Sequence, residues 1–157
     1  MIRKILIPVE DELFVDAIAD FVENLNSPSN DLTLRIMHAD IPPESLTAWT
    51  KGDSELEPMR LVDSVRSALK KRIPDQSIET VVVDGTPKNA ILDEARAWNA
   101  DLILLGPHGQ RGISKFILGS VAASVIPDAP CSVVMLKPLF QEKEKLDVKE
   151  VEKQGAA

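Results

Sequence analysis

Short, continuous apolar runs, separated by segments of helical periodicity, constrain this chain more than any other feature. Four of them are Arg3-Lys-Ile-Leu-Ile-Pro-Val9, Leu32-Thr-Leu-Arg-Ile-Met37, Asp101-Leu-Ile-Leu-Leu-Gly106 and Ser132-Val-Val-Met-Leu136, each flanked by turn or cap residues. A fifth, Ile78-Glu-Thr-Val-Val-Val83, is rich in β-branched residues and ends at Asp84-Gly85. Runs of this length without strict alternation suit strands covered on both faces, as in a parallel sheet.

The segments between the runs repeat at helical steps. Leu13, Phe14, Ala17, Ile18, Phe21 and Leu25 form one stripe, with Asp16, Asp20 and Glu23 opposite. Leu61, Val62, Val65 and Leu69 form a second before Pro74. Ile91, Ala95 and Trp98 form a third, with Thr86-Pro87 as cap and first turn. Leu118, Val121, Ala122 and Val125 form a fourth, stopped by Pro127 and Pro130.

Strands alternating with helices predict an α/β fold: a five-stranded parallel open sheet with right-handed crossovers and helices on both faces. The expected strand order is 3-2-1-4-5, Rossmann-like or flavodoxin-like. With 157 residues the chain is expected to make one domain, over residues 1–138, and residues 139–157 read as a charged tail. The stretch from Ile41 to Pro58, with Pro42-Pro43 and Trp49, reads as a long loop, either a lid or a plain surface insertion.

Charge and composition remove several function classes. A net charge of −7 argues against nucleic-acid binding, which requires a basic face. Tyrosine is absent and aromatics make up 4%, so base-stacking platforms are unsupported. No apolar run approaches the roughly 20 residues of a membrane helix, so no membrane insertion is expected. Met1-Ile-Arg-Lys leads straight into a run stopped at Pro8, unlike a signal peptide, and the expected compartment is the cytoplasm. The single Cys131 lies in an apolar run and reads as a buried structural thiol.

In open parallel sheets, ligands bind beyond the carboxyl ends of the strands. That places Glu10, Asp11, Ala39, Asp40 and the loop after Leu105 around one crevice. The loop carries Gly106 and Gly109, which allow close backbone approach, and then Gly119-Ser120 at a helix start. Free N–H groups and the positive dipole end of such a helix suit a phosphate. The Ser120 hydroxyl either donates to that phosphate or caps the helix. The spacing Gly-x2-Gly-x9-Gly-Ser is neither a Walker loop nor Gly-x-Gly-x-x-Gly.

This spacing resembles the universal stress protein family, from Arg3 to roughly Lys137. Further matching pieces are Lys4-Ile-Leu-Ile-Pro-Val9, His38, Gly85-Thr-Pro-Lys-Asn-Ala-Ile91, Ala100-Asp-Leu-Ile-Leu-Leu-Gly-Pro-His-Gly109, Leu118-Gly-Ser-Val121 and Ala129-Pro-Cys131. The resemblance implies a homodimer through the last strand, Ser132, Val133, Val134, Met135 and Leu136. It also implies a stress-response regulatory protein, in the branch that binds ATP or AMP, with a regulatory protein partner. The nucleotide-binding residues it implies are Glu10, Ala39, Gly106, Gly109, Gly119 and Ser120; Pro8, Val9, His108, Arg111 and Val121 beside them complete the expected site. Three positions depart from the family pattern. Glu10 replaces the usual Asp and is followed by Asp11-Glu12, carboxylates that either repel a polyphosphate or hold Mg²⁺. Pro107 lacks a backbone N–H, and Ala39 is smaller than the usual branched residue.

Bland roles stand beside these. His108 reads as a polar loop contact, His38 as a structural histidine, Trp98 as core, and Arg111, Ser114 and Lys115 as solvated loop positions. No nucleophile–base pair is visible, so binding without dedicated catalysis is expected, any ATP hydrolysis being slow and incidental. The competing function is a nucleotide-free dimerisation or partner-docking module of the same fold.

Overall fold

A computed structural model describes residues 1–25, 31–41, 56–106 and 119–136. Five strands, β1 (Lys4–Pro8), β2 (Thr33–Asp40), β3 (Ser77–Asp84), β4 (Leu102–Leu105) and β5 (Ser132–Met135), make one sheet of order β3-β2-β1-β4-β5. All four neighbouring pairs are parallel. The helices are α1 (Val15–Asn24), α2 (Leu56–Arg72), α3 (Pro87–Trp98) and α4 (Ser120–Val125), the last followed by a 3₁₀ turn at Ile126–Asp128.

Strand alternation sends the apolar runs into two cores. Ile5, Ile7, Leu34, Ile36, Leu102 and Leu104 pack beneath α1 and α2, which contribute Ile18, Val22, Val62, Val65 and Leu69. Leu6, Met37, Ile103 and Leu105 face the other way, against Ile91, Ala95 and Trp98 of α3 and Ala122 and Val125 of α4. The chain first steps outward from β1 to β3 and then returns to the far side of β1. Right-handed crossovers running in opposite directions must lie on opposite faces, which is the arrangement found. The direction of winding therefore reverses between β1 and β4.

The sequence expectations hold for the fold, with local corrections. Helix α1 begins at Val15, because the Asp11 carboxylate accepts the Leu13 N–H at 2.8 Å and holds that residue in a turn. Leu13, expected in the buried stripe, is 47% exposed. Helix α2 begins at Leu56, so the expected loop ends before Pro58, which is tolerated and buried in the first helical turn. Strand β2 runs to Asp40, taking His38 and Ala39 into the sheet. Cys131 is half-buried; burial and the nearby Asp101 carboxylate push its thiol pKa up, keeping it protonated. Trp49 and the tail lie outside the described residues. Among the described residues, no helix is long and apolar enough to cross a membrane.

Two polar devices pin the end of the sheet opposite the strand carboxyl ends. The Asp101 carboxylate accepts the Arg3 and Lys4 N–H groups at 2.8 and 2.9 Å, and these bonds hold its pKa below the usual carboxylate value. Arg35 sits on the α3 face of β2, its guanidinium 4.3 Å from the Trp98 ring centre. It donates to Glu79 of β3 at 2.5 and 2.9 Å and to Glu94 of α3 at 2.5 Å. Burial by itself lowers the Arg35 pKa, but the bonds to the two carboxylates outweigh it and raise the value.

Arg35→Met keeps an apolar contact with the indole but strands Glu94, whose side chain is only 15% exposed. Removing one partner of a fully buried ion pair costs roughly 3–5 kcal/mol; the partial exposure here reduces the expected loss to about 2 kcal/mol. Chemical denaturation checks this. Adding Glu94→Gln should recover part of the loss, because the carboxylate charge is then gone.

Candidate functional site

The carboxyl ends of β1, β2 and β4 open onto a crevice of about 320 Å³. It lies at the reversal of winding between β1 and β4, where ligand sites of open α/β sheets form. Ile7, Val9, Ile18, Leu104 and Leu136 make its apolar walls, with Pro8, Glu10, Asp11, Phe14, His38, Ala39, Ile41, Gly106, Gly119 and Val121 among the other lining residues.

Strand β1 contributes by ending. The Val9 N–H donates to the Met37 carbonyl at 2.8 Å, after which the chain leaves the sheet. The Val9 carbonyl faces His38 Nδ1 at 2.8 Å, and since a carbonyl only accepts, Nδ1 carries the proton. His38 is thus tied to the backbone, as a structural histidine would be. With both backbone groups engaged, Val9 contributes a wall.

Strand β2 continues past this point. Ladder bonds from Thr33 N–H to the Arg3 carbonyl and from Val9 N–H to the Met37 carbonyl show that odd-numbered β2 residues face β1. The same parity turns the Ala39 N–H and C=O toward the crevice, beyond the last β1 ladder bond. On the other side, Asp40 accepts the Gly85 N–H at 2.8 Å, and Gly85 takes φ +138°, turning β3 toward α3. Asp40, expected at the crevice, instead lines a neighbouring, more open hollow with Glu10, Asp11, Glu12, His38 and Glu57.

Two of the three consecutive carboxylates are engaged by nearby hydrogen bonds. Asp11 closes its own turn, and Glu12 accepts the Ser64 hydroxyl of α2. Glu10 is exposed at the crevice lip. Among the described residues, no three His, Cys, Asp or Glu side chains are placed to hold a metal ion. The Mg²⁺ expectation therefore finds no ready-made protein cage here.

On the far wall, Gly119 is the N-cap of α4, with φ −64° and ψ 156°, and its carbonyl accepts the Ala123 N–H at 2.9 Å. Ser120 is the first helical residue, exposed between the lining residues Gly119 and Val121, and its hydroxyl makes no capping bond. The capping role weighed for Ser120 is thus replaced by the glycine. By helix geometry the first-turn N–H groups of α4 have no partner within the helix.

Of the expected site residues, Pro8, Val9, Glu10, Ala39, Gly106, Gly119 and Val121 line the crevice and Ser120 flanks it. Pro107, His108, Gly109, Arg111, Ser114 and Lys115 lie outside the described residues. Phe14, Ile41 and Leu136 line the crevice without having been assigned to the binding site. Phe14 reads as helix core in the sequence, because its spacing matches the α1 stripe. Its position as the residue before α1 is what frees it to face the site.

Comparison with known proteins places this geometry. The model of the universal stress protein family matches residues 1–137. A universal stress protein of Methanocaldococcus jannaschii is 31% identical over 140 residues, covering 86% of this chain and 82% of that protein. The universal stress protein of Archaeoglobus fulgidus, solved in complex with dAMP, shares the fold with a TM-score of 0.61 and 21% identity, over 87% of this chain and 100% of that one. A family member from Arabidopsis thaliana, solved with AMP bound, gives a TM-score of 0.62 and 18% identity, over 89% and 94%.

Proposed function

The chain belongs to the universal stress protein family, and from that premise we propose that its crevice binds an adenine nucleotide, AMP or ATP, in the service of a regulatory role. The observation that carries the proposal is the convergence of Pro8–Glu10, Ala39, Gly106, Gly119 and Val121 on one apolar slot at the reversal of strand order.

The residues suit the ligand. Val9 and Leu136 offer apolar surface to a flat heterocycle. The Ala39 N–H and C=O offer a donor and an acceptor to its polar edge. Glu10 offers a carboxylate to ribose hydroxyls, and the first-turn N–H groups of α4 offer donors to a phosphate. The solved relatives with dAMP and AMP support the choice of an adenine nucleotide. The same proposal includes a homodimer paired along β5, an edge strand of the sheet, and contacts with a protein partner that change with occupancy. It assigns no catalytic step to the chain.

A ligand selective for the folded state raises its melting temperature. At 100 times its Kd the gain is about 2.7 kcal/mol, roughly 5–10 °C for a chain of this size. AMP and ATP, each with and without Mg²⁺, should produce such a rise, and native mass spectrometry should report nucleotide and subunit number together. No rise at millimolar nucleotide, with an empty purified protein, rejects the proposal in favour of a nucleotide-free docking module.

A further inference from the structure

Gly106 ends β4 at the crevice, and its φ is not positive, so backbone strain does not demand a glycine there. Space does. A Cβ added to Gly106 would lie 2.9 Å from Phe14 Cδ2, closer than real Cβ atoms come, and a tight 3.2 Å from Cγ. The room that the missing side chain leaves is taken by the chain's own phenyl ring.

Phe14 is suited to move. It precedes α1 with φ −106° and ψ 9°, outside the helix, and its carbonyl accepts the Ile18 N–H at 2.9 Å. The backbone is therefore anchored, and a change in the ring's side-chain angles does not by itself require α1 to unwind. The ring is only partly buried against the α1–α2 core, with one side toward the crevice.

Resting on the nucleotide proposal above, we propose that Phe14 is the gate that sets the affinity of this site. In the state described here the ring covers Gly106, and a ligand whose sugar–phosphate reaches the Gly106 backbone must displace it. Apparent affinity is then reduced by the fraction of molecules with the ring turned away. Minor conformers of this kind are commonly about 0.1–10% populated, so removing the ring should tighten binding about tenfold or more. A ring that stacked on the base would act with the opposite sign.

The test is calorimetric titration of the full chain with AMP, comparing the unaltered protein with Phe14→Ala and Phe14→Leu, with thermal unfolding in parallel. Phe14→Ala should bind AMP at least about tenfold more tightly, with Phe14→Leu between the two. Phe14→Leu keeps an aliphatic contact with the core and carries the test where the alanine variant is unfolded. Unchanged or weaker AMP binding in the folded variants overturns the gate; where the unaltered protein still binds AMP, the nucleotide proposal stands. Failure of all three proteins to bind AMP overturns both. AMP binding only after the ring is removed supports the gate while rejecting nucleotide binding by the unaltered chain.

Discussion

Ser120→Glu is expected to weaken nucleotide binding roughly a hundredfold while making the fold slightly more stable. Ser120 is exposed at the first position of α4, and its hydroxyl caps nothing. A carboxylate there interacts favourably with the helix dipole, adding about 0.3–1 kcal/mol to stability. Toward a bound phosphate the sign reverses. Two like charges about 5 Å apart, at an effective dielectric constant of about 20, repel by about 3 kcal/mol, roughly a hundredfold in affinity. Titration with AMP and a thermal melt of the same sample should move in opposite directions. Ser120→Ala removes only a neutral hydroxyl and should weaken binding by no more than about tenfold. Undiminished AMP binding by the glutamate variant would mean that the phosphate does not sit at this helix.

Leu104→Ala should bring the largest loss of stability among the residues bordering the site. Leu104 is fully buried, packs into the core beneath α1 and α2, lies opposite Val134 of β5 and also touches the crevice. Buried Leu→Ala changes cost roughly 2–5 kcal/mol, the spread depending on how far the neighbours collapse. Here the vacated space joins the crevice, so the middle of that range, about 3 kcal/mol, is expected. For a chain of this length that is a fall in melting temperature of roughly 6–12 °C. A loss under about 1 kcal/mol would indicate that the surrounding walls close inward, which the same variant's AMP affinity would register.

These two residues differ in how far the sequence alone reveals them. Leu104 is legible because four consecutive apolar residues, Leu102–Leu105, suit a strand covered on both faces, and all four are buried. Gly119 and Ser120 are legible as a loop-to-helix transition, but which of them caps α4 depends on backbone angles that both residues can adopt. The β-strand ends are least legible. Asp40 is polar and one residue short of a proline pair, yet it closes β2 because Gly85, 45 positions later, donates to its carbonyl. Helical periodicity also overreaches at α1, where Leu13 and Phe14 fit the stripe while the Asp11 carboxylate holds the chain in a turn.

Arg35 illustrates the same boundary. In sequence it interrupts the run Leu32–Met37, and nothing local says which groups will meet it. The β2–β3 register brings Glu79 alongside, and the return crossover lays Glu94 and Trp98 over it. Only the packed sheet supplies those partners.

Local apolar pattern by itself determined the strand–helix alternation and hence a parallel sheet with right-handed crossovers, while the order β3-β2-β1-β4-β5 followed from likeness to doubly wound sheets. It also placed the glycine-rich stretch at a strand end. Tertiary structure decided what occupies that place. Phe14 and Gly106 are 92 positions apart, and only the folding of the turn before α1 onto the end of β4 puts the ring where the glycine has left room. Short-range periodicity reports which side of an element is apolar; it carries no information about which two surfaces will share one volume.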